Sequence, residues 1–76
     1  MDPIILSLET ATKVCSVALL KGKTLLGSFT MHIEKSHSEV LTNMIDRVLF
    51  CAGITAEQID AIAVSKGPGS YTGLRI

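Results

Sequence analysis

The sequence predicts an α/β fold in which a small β-sheet carries one main helix. Three patterns indicate this fold: three apolar runs separated by short polar breaks, then a helical apolar repeat, then a short run of small apolar residues. The 76 residues suffice for at most one small domain. Because 47% of them are hydrophobic, we expect a globular chain rather than a disordered one.

Three strands are predicted in the first half of the chain. Residues 4–8 form a continuous apolar run, as in a strand that is buried on both faces. A second strand covers residues 14–20, and Gly22 allows a tight turn after it. From Thr24 apolar and polar residues alternate, which predicts a third strand near a sheet edge. Short connections between the three strands indicate an antiparallel meander. One face of the third strand is expected to carry Leu25, Gly27, Phe29, Met31 and Ile33.

A helix is predicted after the meander. Ser36 and Glu39 have the spacing of a capping box, and Gly53 suits the position that ends the helix. Phe50 projects on the side opposite to the apolar positions. It is either an ordinary exposed aromatic residue or a sign that the helix contacts a second chain as well as its own sheet. The apolar positions, which cover about half of the helix circumference, are Val40, Leu41, Met44, Ile45, Val48, Leu49, Cys51 and Ala52.

A fourth strand and a second helix are predicted next. Residues 55–58 repeat the capping pattern on a short turn, and residues 61–64 read as a buried strand of small residues. Because a helix separates this strand from the meander, we expect a crossover that makes it parallel to the first strand. A second helix is predicted to begin near Tyr71. The resulting order, β-β-β-α-β-(α), is that of the N-terminal part of an actin-like ATPase (ribonuclease-H-like) fold.

In such a fold, two loops face a nucleotide cleft. The first loop here covers residues 9–13, where Glu9 and Thr10 are candidate nucleotide-binding residues. Glu9 is either a ligand of a metal-bound water or a solvated carboxylate at the end of a strand. Ala11 stands where a glycine would let the backbone close on phosphates.

The second loop is rich in glycine. Gly67, Gly69 and Ser70 are candidates to cradle a phosphate with backbone N–H groups before a helix. Alternatively, the glycines let a strand and a helix approach closely. The loop matches neither the G-x-x-x-x-G-K-[ST] pattern nor G-x-G-x-x-G.

Several other activities lack the residues they need. The formal net charge is zero and the basic residues are scattered, which disfavours tight nucleic-acid binding by this segment alone. His32 and His37 are five apart rather than four, and we expect no metal site. A two-metal nuclease needs several converging carboxylates, for which only Glu9 and Asp60 are placed. Ser70 lies outside any G-x-S-x-G pattern.

The cysteines and the N-terminal apolar run bear on the compartment. Cys15 and Cys51 lie within apolar runs. Residues 4–8 are too few for a signal peptide or a membrane span. We therefore expect a cytoplasmic protein that has no membrane partner and keeps its cysteines buried and reduced, with a disulfide as the alternative.

Taken together, several segments resemble the TsaB (YeaZ) family, also described as glycoprotease-like or peptidase M22-like. That family takes part in making the N6-threonylcarbamoyladenosine of tRNA. Glu9 departs from the more usual aspartate of the family, and Tyr71 from the more usual phenylalanine. The segments that carry the resemblance are 8–12, 15–19, 37–39 with Leu41 and 45–46, 60–64 and, above all, Gly67-Pro68-Gly69-Ser70-Tyr71-Thr72-Gly73-Leu74-Arg75-Ile76.

The resemblance implies a non-catalytic scaffold subunit. Its partners would be a catalytic TsaD-like subunit and a TsaE-like ATPase, and tRNA would be reached only through the complex. Family members are longer and have two actin-like domains, so residues 1–76 would be the N-terminal portion of the first and the second would be absent. We expect no catalytic activity and no cofactor in this fragment, with ATP and magnesium only at the level of the full complex.

The resemblance also places a partner interface on two helices, the one after the third strand and the one that Tyr71 begins. On that basis the fragment is expected to self-associate, because the missing helices would leave apolar surface bare. A nucleotide-dependent transferase or kinase that uses Glu9 and residues 67–73 is the alternative. The expected interface residues are Leu41, Met44, Ile45, Val48, Phe50, Tyr71 and Leu74.

Overall fold

A five-stranded sheet in the order β3-β2-β1-β4-β5 forms the centre of the computed structural model. The structure describes residues 2–11, 13–32, 37–65 and 71–75. One long helix, α1, and one 3₁₀ turn, Ala56–Gln58, complete these ranges. The elements are β1 (Ile4–Thr10), β2 (Val14–Lys21), β3 (Thr24–His32), α1 (His37–Ala52), β4 (Ala61–Ser65) and β5 (Tyr71–Arg75).

The pairing of the strands confirms the predicted topology. β1 pairs antiparallel with β2, with Leu6 opposite Leu19, and β2 pairs antiparallel with β3. β1 also pairs parallel with β4, with Leu6 opposite Ile62. The crossover from β3 to β4 through α1 allows this parallel pairing, which a tight turn could not make.

The core lies between α1 and one face of the sheet. Side chains that alternate along β2 point towards α1, and Cys15, Val17 and Leu19 are fully buried there. Val48 of α1 is 1% exposed and Leu6 of β1 is 2% exposed. Burial of a side chain of this size stabilises the fold by about 1.5–3 kcal/mol before the entropy cost is counted. The remaining buried residues of this core are Ile4, Met44, Leu49 and Ile59, whereas Ala63, opposite Ser7, is buried on the other face of the sheet.

The end of α1 is a Schellman motif, as the position of Gly53 predicts. The N–H of Gly53 donates to the carbonyl oxygen of Phe50 at 3.2 Å, and the N–H of Ile54 donates to that of Leu49 at 3.0 Å. Gly53 has φ of +71°, which glycine adopts without the steric cost of a Cβ. Ile54 packs against the core cluster that contains Leu49. These bonds satisfy carbonyl groups that a helix end leaves unpaired.

The predicted second helix is wrong. Tyr71–Arg75 is strand β5, which pairs antiparallel with β4 and sets Gly73 opposite Ala63. Gly73 lies in the middle of this segment, and a glycine in a helix interior is destabilising. Pairing with β4 instead satisfies backbone groups along the whole segment.

Two expectations about the strands also need correction. β1 is not buried on both faces: Ile4 and Leu6 are buried on the α1 side, whereas Ile5 on the other face is half-buried and no described element covers it. In β3 the pairing shifts, so that Gly27 lies opposite Leu19 but Leu25 lies opposite Leu20. Leu26 is then the extra residue of a β-bulge, and Leu25 does not share the face of Gly27 as the alternation predicted.

Candidate functional site

The outer side of α1 carries an exposed aromatic ring. Phe50 is 82% exposed, the largest exposed fraction among the large hydrophobic residues described. A shallow hollow beside it is lined by Asn43, Asp46 and Arg47 together with the ring. The helix therefore presents one apolar side chain within a polar surface, as the sequence predicted for Phe50.

The other predicted interface residues of α1 lie on its inner half. Met44 and Val48 are 5% and 1% exposed, so the chain's own core encloses them. We therefore exclude both from any surface that a partner could reach. Leu41 and Ile45 pack against the same core but are only half-buried.

Helix geometry separates these residues into two surfaces. At about 100° per residue, Phe50 lies about 180° from Leu41 and about 140° from Ile45 around the helix axis. A single flat contact cannot include Phe50 and Leu41 together. The exposed interface residues predicted on α1 are therefore Phe50 on one side, opposite to the apolar positions as expected, and the half-buried pair Leu41 and Ile45 on the other.

The pair on the inner side lies next to further half-buried apolar residues. α1 packs over β2 and β3, which leaves the same sheet face less covered at β1 and β4. On this face, Leu8 of β1 and Ile62 of β4 are half-buried. Leu41, Ile45, Leu8 and Ile62 are thus apolar residues that the described part of the chain covers only in part.

Tyr71 and Leu74 were expected on a second interface helix. Their backbone instead belongs to β5 at the edge of the sheet. Leu74 lies opposite Ile62, and Tyr71 lies opposite Ser65. The second helical half of the predicted interface is therefore absent from the described residues.

The candidate nucleotide residues lie at the carboxyl ends of β1 and β4. Glu9 and Ser65 are register partners in the parallel pair, so the two ends of these strands coincide. Glu9 is exposed and Thr10 is half-buried. Ser65 leads towards Gly67, Gly69 and Ser70, which lie outside the described residues.

The turn after β1 is tight. The N–H of Ala11 donates to the carbonyl oxygen of Val14 at 2.8 Å, which closes the connection to β2. This bond engages an N–H that a phosphate-binding loop would direct at its ligand. The N–H of Ala11 is therefore not available to a nucleotide.

A row of polar side chains crosses four strands at this end of the sheet. The registers place Ser65 beside Glu9, Glu9 beside Ser16, and Ser16 beside Thr30. The Ser16 and Thr30 hydroxyl oxygens are 3.1 Å apart and share a hydrogen bond. Sequence analysis missed this row, because its members are distant in sequence and only the strand register brings them together.

The two carboxylates considered for a nuclease do not converge. Asp60 lies at the start of β4 and bonds to Ile4 at the start of β1, whereas Glu9 lies near the end of β1. Five residues of strand separate Ile4 from Glu9, which is about 17 Å at about 3.3 Å per residue. These residues therefore cannot share a two-metal centre.

The cysteines are both free. Cys15 is buried as expected, but Cys51 is exposed on α1, which corrects the prediction that both are buried. No helix in the described ranges is long and apolar enough to cross a membrane.

Comparison with known proteins gives consistent matches. The family model described as "TsaD: tRNA N6-adenosine threonylcarbamoyltransferase" matches residues 27–76. The TsaB protein of Buchnera aphidicola from Schizaphis graminum is 41% identical over the whole chain, which covers 36% of that protein. The TsaB protein of Escherichia coli is 38% identical over 95% of the chain and 31% of its own length. A tRNA N6-adenosine threonylcarbamoyltransferase of Streptococcus sanguinis is 38% identical over 90% of the chain and 25% of its own length.

Solved structures agree with these matches. YeaZ from Pseudomonas aeruginosa superimposes with a TM-score of 0.76 and 39% identity, over 88% of this chain and 31% of that one. The chain spans about a third of the length of the TsaB relatives it matches.

The meander, the crossover helix and the parallel fourth strand around β1 thus define an actin-like α/β domain. More particularly, this chain belongs to the family whose model is described as "TsaD: tRNA N6-adenosine threonylcarbamoyltransferase", and it is similar to the TsaB and YeaZ proteins compared above.

Proposed function

We propose that this chain is the N-terminal portion of the first actin-like domain of a non-catalytic scaffold subunit in tRNA N6-threonylcarbamoyladenosine synthesis. The names of the TsaB relatives, "tRNA threonylcarbamoyladenosine biosynthesis protein", support the pathway. These names do not specify a scaffold role. We infer that role from the surface of α1. The proposed location is the cytoplasm.

The single observation that carries the scaffold role is the exposure of Phe50. The Phe50 side chain is 82% exposed to water. Burying it against a partner would stabilise the complex by about 25 cal/mol for each Å² of apolar surface removed from water. Aromatic residues are enriched at the centres of protein interfaces for the same reason. Leu41 and Ile45 would contribute on the other side of the helix, once a further element extends the surface.

The proposed partners follow from this surface and from the family. A TsaD-like catalytic subunit would pack against the outer side of α1 at Phe50, and a TsaE-like ATPase would join that pair. A second copy of the chain could occupy the same surface when the catalytic subunit is absent. The tRNA would contact the complex rather than this segment, whose charge is balanced.

Co-purification of the intact protein with its TsaD-like subunit tests the scaffold role. Phe50→Asp places a charge where we propose apolar contact, and should abolish co-purification. Leu25→Asp is the matched control, because Leu25 is also exposed, at 57%, but lies on β3. If the two subunits still co-purify with Phe50→Asp, the proposal that this surface binds the partner is rejected. It is also rejected if both variants weaken co-purification equally.

A second candidate function is a nucleotide-dependent transferase or kinase. The parallel pairing that sets Glu9 beside Ser65 favours it, because ligands of open α/β sheets bind beyond the carboxyl ends of the strands. Calorimetry of the intact protein with ATP and magnesium tests this reading. Micromolar binding that Glu9→Ala removes and Glu57→Ala keeps would support it, and absence of binding would reject it.

A further inference from the structure

A groove runs between α1 and the outer edge of the sheet, and it shares Asn43 and Arg47 with the hollow beside Phe50. Its walls are Phe29 and Met31 of β3 on one side and residues of α1 on the other. Met31 is 49% exposed, so an apolar side chain placed in the groove would find accessible apolar surface. The α1 residues that line it are Val40, Asn43, Met44 and Arg47.

The strand beside this groove is an edge strand. β3 is the first strand in the sheet order, and no described strand pairs with its outer side. An edge strand presents a row of N–H and C=O groups that can pair with another extended chain. Phe29 and Met31, two residues apart, point to the same face of β3, towards α1. Free backbone groups and an apolar groove are thus side by side.

The groove has one charged residue among its described lining. Arg47 lies on its α1 wall with Asn43, and both are exposed. No ion pair engages the Arg47 guanidinium within the described part of the chain. A carboxylate matches the planar fork of a guanidinium, which can donate two parallel hydrogen bonds to it.

We propose that this groove binds an extended acidic peptide segment of another protein, which adds to the sheet as a strand beside β3. Alternate apolar side chains of the peptide would enter the groove over Phe29 and Met31, and one carboxylate would pair with Arg47. Backbone hydrogen bonds to an edge strand give such complexes affinity, and pockets for alternate side chains give them specificity.

The charge of the groove favours such a peptide over a second copy of this chain. Edge-to-edge pairing of two copies would bring β3 or β5 against the groove. Neither Thr24–His32 nor Tyr71–Arg75 contains an acidic residue, and the latter contains Arg75. A second copy paired through its sheet edges would therefore leave Arg47 without a carboxylate.

Fluorescence anisotropy of the intact protein with synthetic peptides tests the proposal. The probe is a fluorescein-labelled seven-residue peptide of alternating valine and threonine with a central glutamate. We expect saturable binding that weakens at least about tenfold, or about 1.4 kcal/mol, when alternate peptide nitrogens are methylated. N-methylation removes backbone donors on one edge but keeps the apolar side chains. Equal binding of the methylated peptide, or no binding of either, would overturn the proposal.

Variants of the protein locate the contact. Met31→Asp should weaken binding about tenfold, whereas Ala56→Asp, at an exposed position of the 3₁₀ turn and outside β3, should leave it unchanged. Arg47→Glu should weaken the glutamate peptide about fivefold, as expected for an exposed ion pair, and should favour a lysine peptide instead. If neither Met31→Asp nor Arg47→Glu changes the affinity for the peptide, the peptide does not bind at this groove. A dimer in sedimentation velocity that Met31→Asp dissociates would assign the groove to a second copy instead.

Discussion

Asp60 and Ile4 are joined by two hydrogen bonds in opposite directions. The backbone N–H of Ile4 donates to the Asp60 carboxylate at 2.7 Å, and the backbone N–H of Asp60 donates to the Ile4 carbonyl oxygen at 2.8 Å. The pair aligns the starts of β1 and β4, directly before the register that sets Ile5 opposite Ala61. Asp60, considered for catalysis on sequence grounds, therefore has a structural role.

The first prediction concerns this carboxylate. Asp60→Ala should lower the free energy of unfolding of the intact protein by about 1–3 kcal/mol, because it leaves the partly buried N–H of Ile4 without its acceptor. Asp60→Asn, which keeps one oxygen, should cost less. Urea unfolding followed by circular dichroism measures both. Equal stability of Asp60→Ala and the exposed control Glu57→Ala would contradict this role.

The second prediction concerns the end of α1. Gly53→Ala should destabilise the protein by about 1–2 kcal/mol, because alanine pays a conformational cost at φ of +71°. A Cβ there would meet no atom within 4 Å, so the cost is one of backbone conformation alone. Gly53→Asn should cost less, since asparagine tolerates this conformation. The same denaturation experiment would contradict the Schellman motif if alanine and asparagine were both neutral.

The third prediction separates the two sides of α1. Val48→Ala should lower the free energy of unfolding by about 2 kcal/mol, because Val48 is 1% exposed in the core. Phe50→Ala should change it by less than about 0.5 kcal/mol, because the ring projects into water. Thermal unfolding compares the two variants. A large loss for Phe50→Ala would mean that the ring supports the fold rather than a partner.

The strands and α1 were predictable because each has a local cause. Apolar runs predicted β1 and β2, alternation predicted β3, and Gly53 predicted the end of α1. The crossover argument gave the parallel pairing of β1 with β4. Each of these depends on residues close together in sequence or on a general rule of connection.

Features that depend on distant residues were not predictable in the same way. Met44 and Val48 are buried in the core, whereas Leu41 is half-buried. The apolar repeat of α1 does not predict this difference, because it depends on how α1 lies over β2 and β3. The strand β5 was missed because the same residues can pair with a neighbouring strand or continue as a helix, and the local pattern does not decide between them. The row from Ser65 to Thr30 requires the registers of four strands.

We propose that the exposed ring of Phe50 docks a TsaD-like subunit. Photo-crosslinking tests this contact most directly. Benzoylphenylalanine at position 50 of the intact protein keeps an aromatic side chain at the surface, and the same residue at position 57 is the control on the 3₁₀ turn. With the subunit present, we predict a crosslink from position 50 and none from position 57. A subunit that pairs with the protein but crosslinks from position 57 and not from position 50 would contradict the claim.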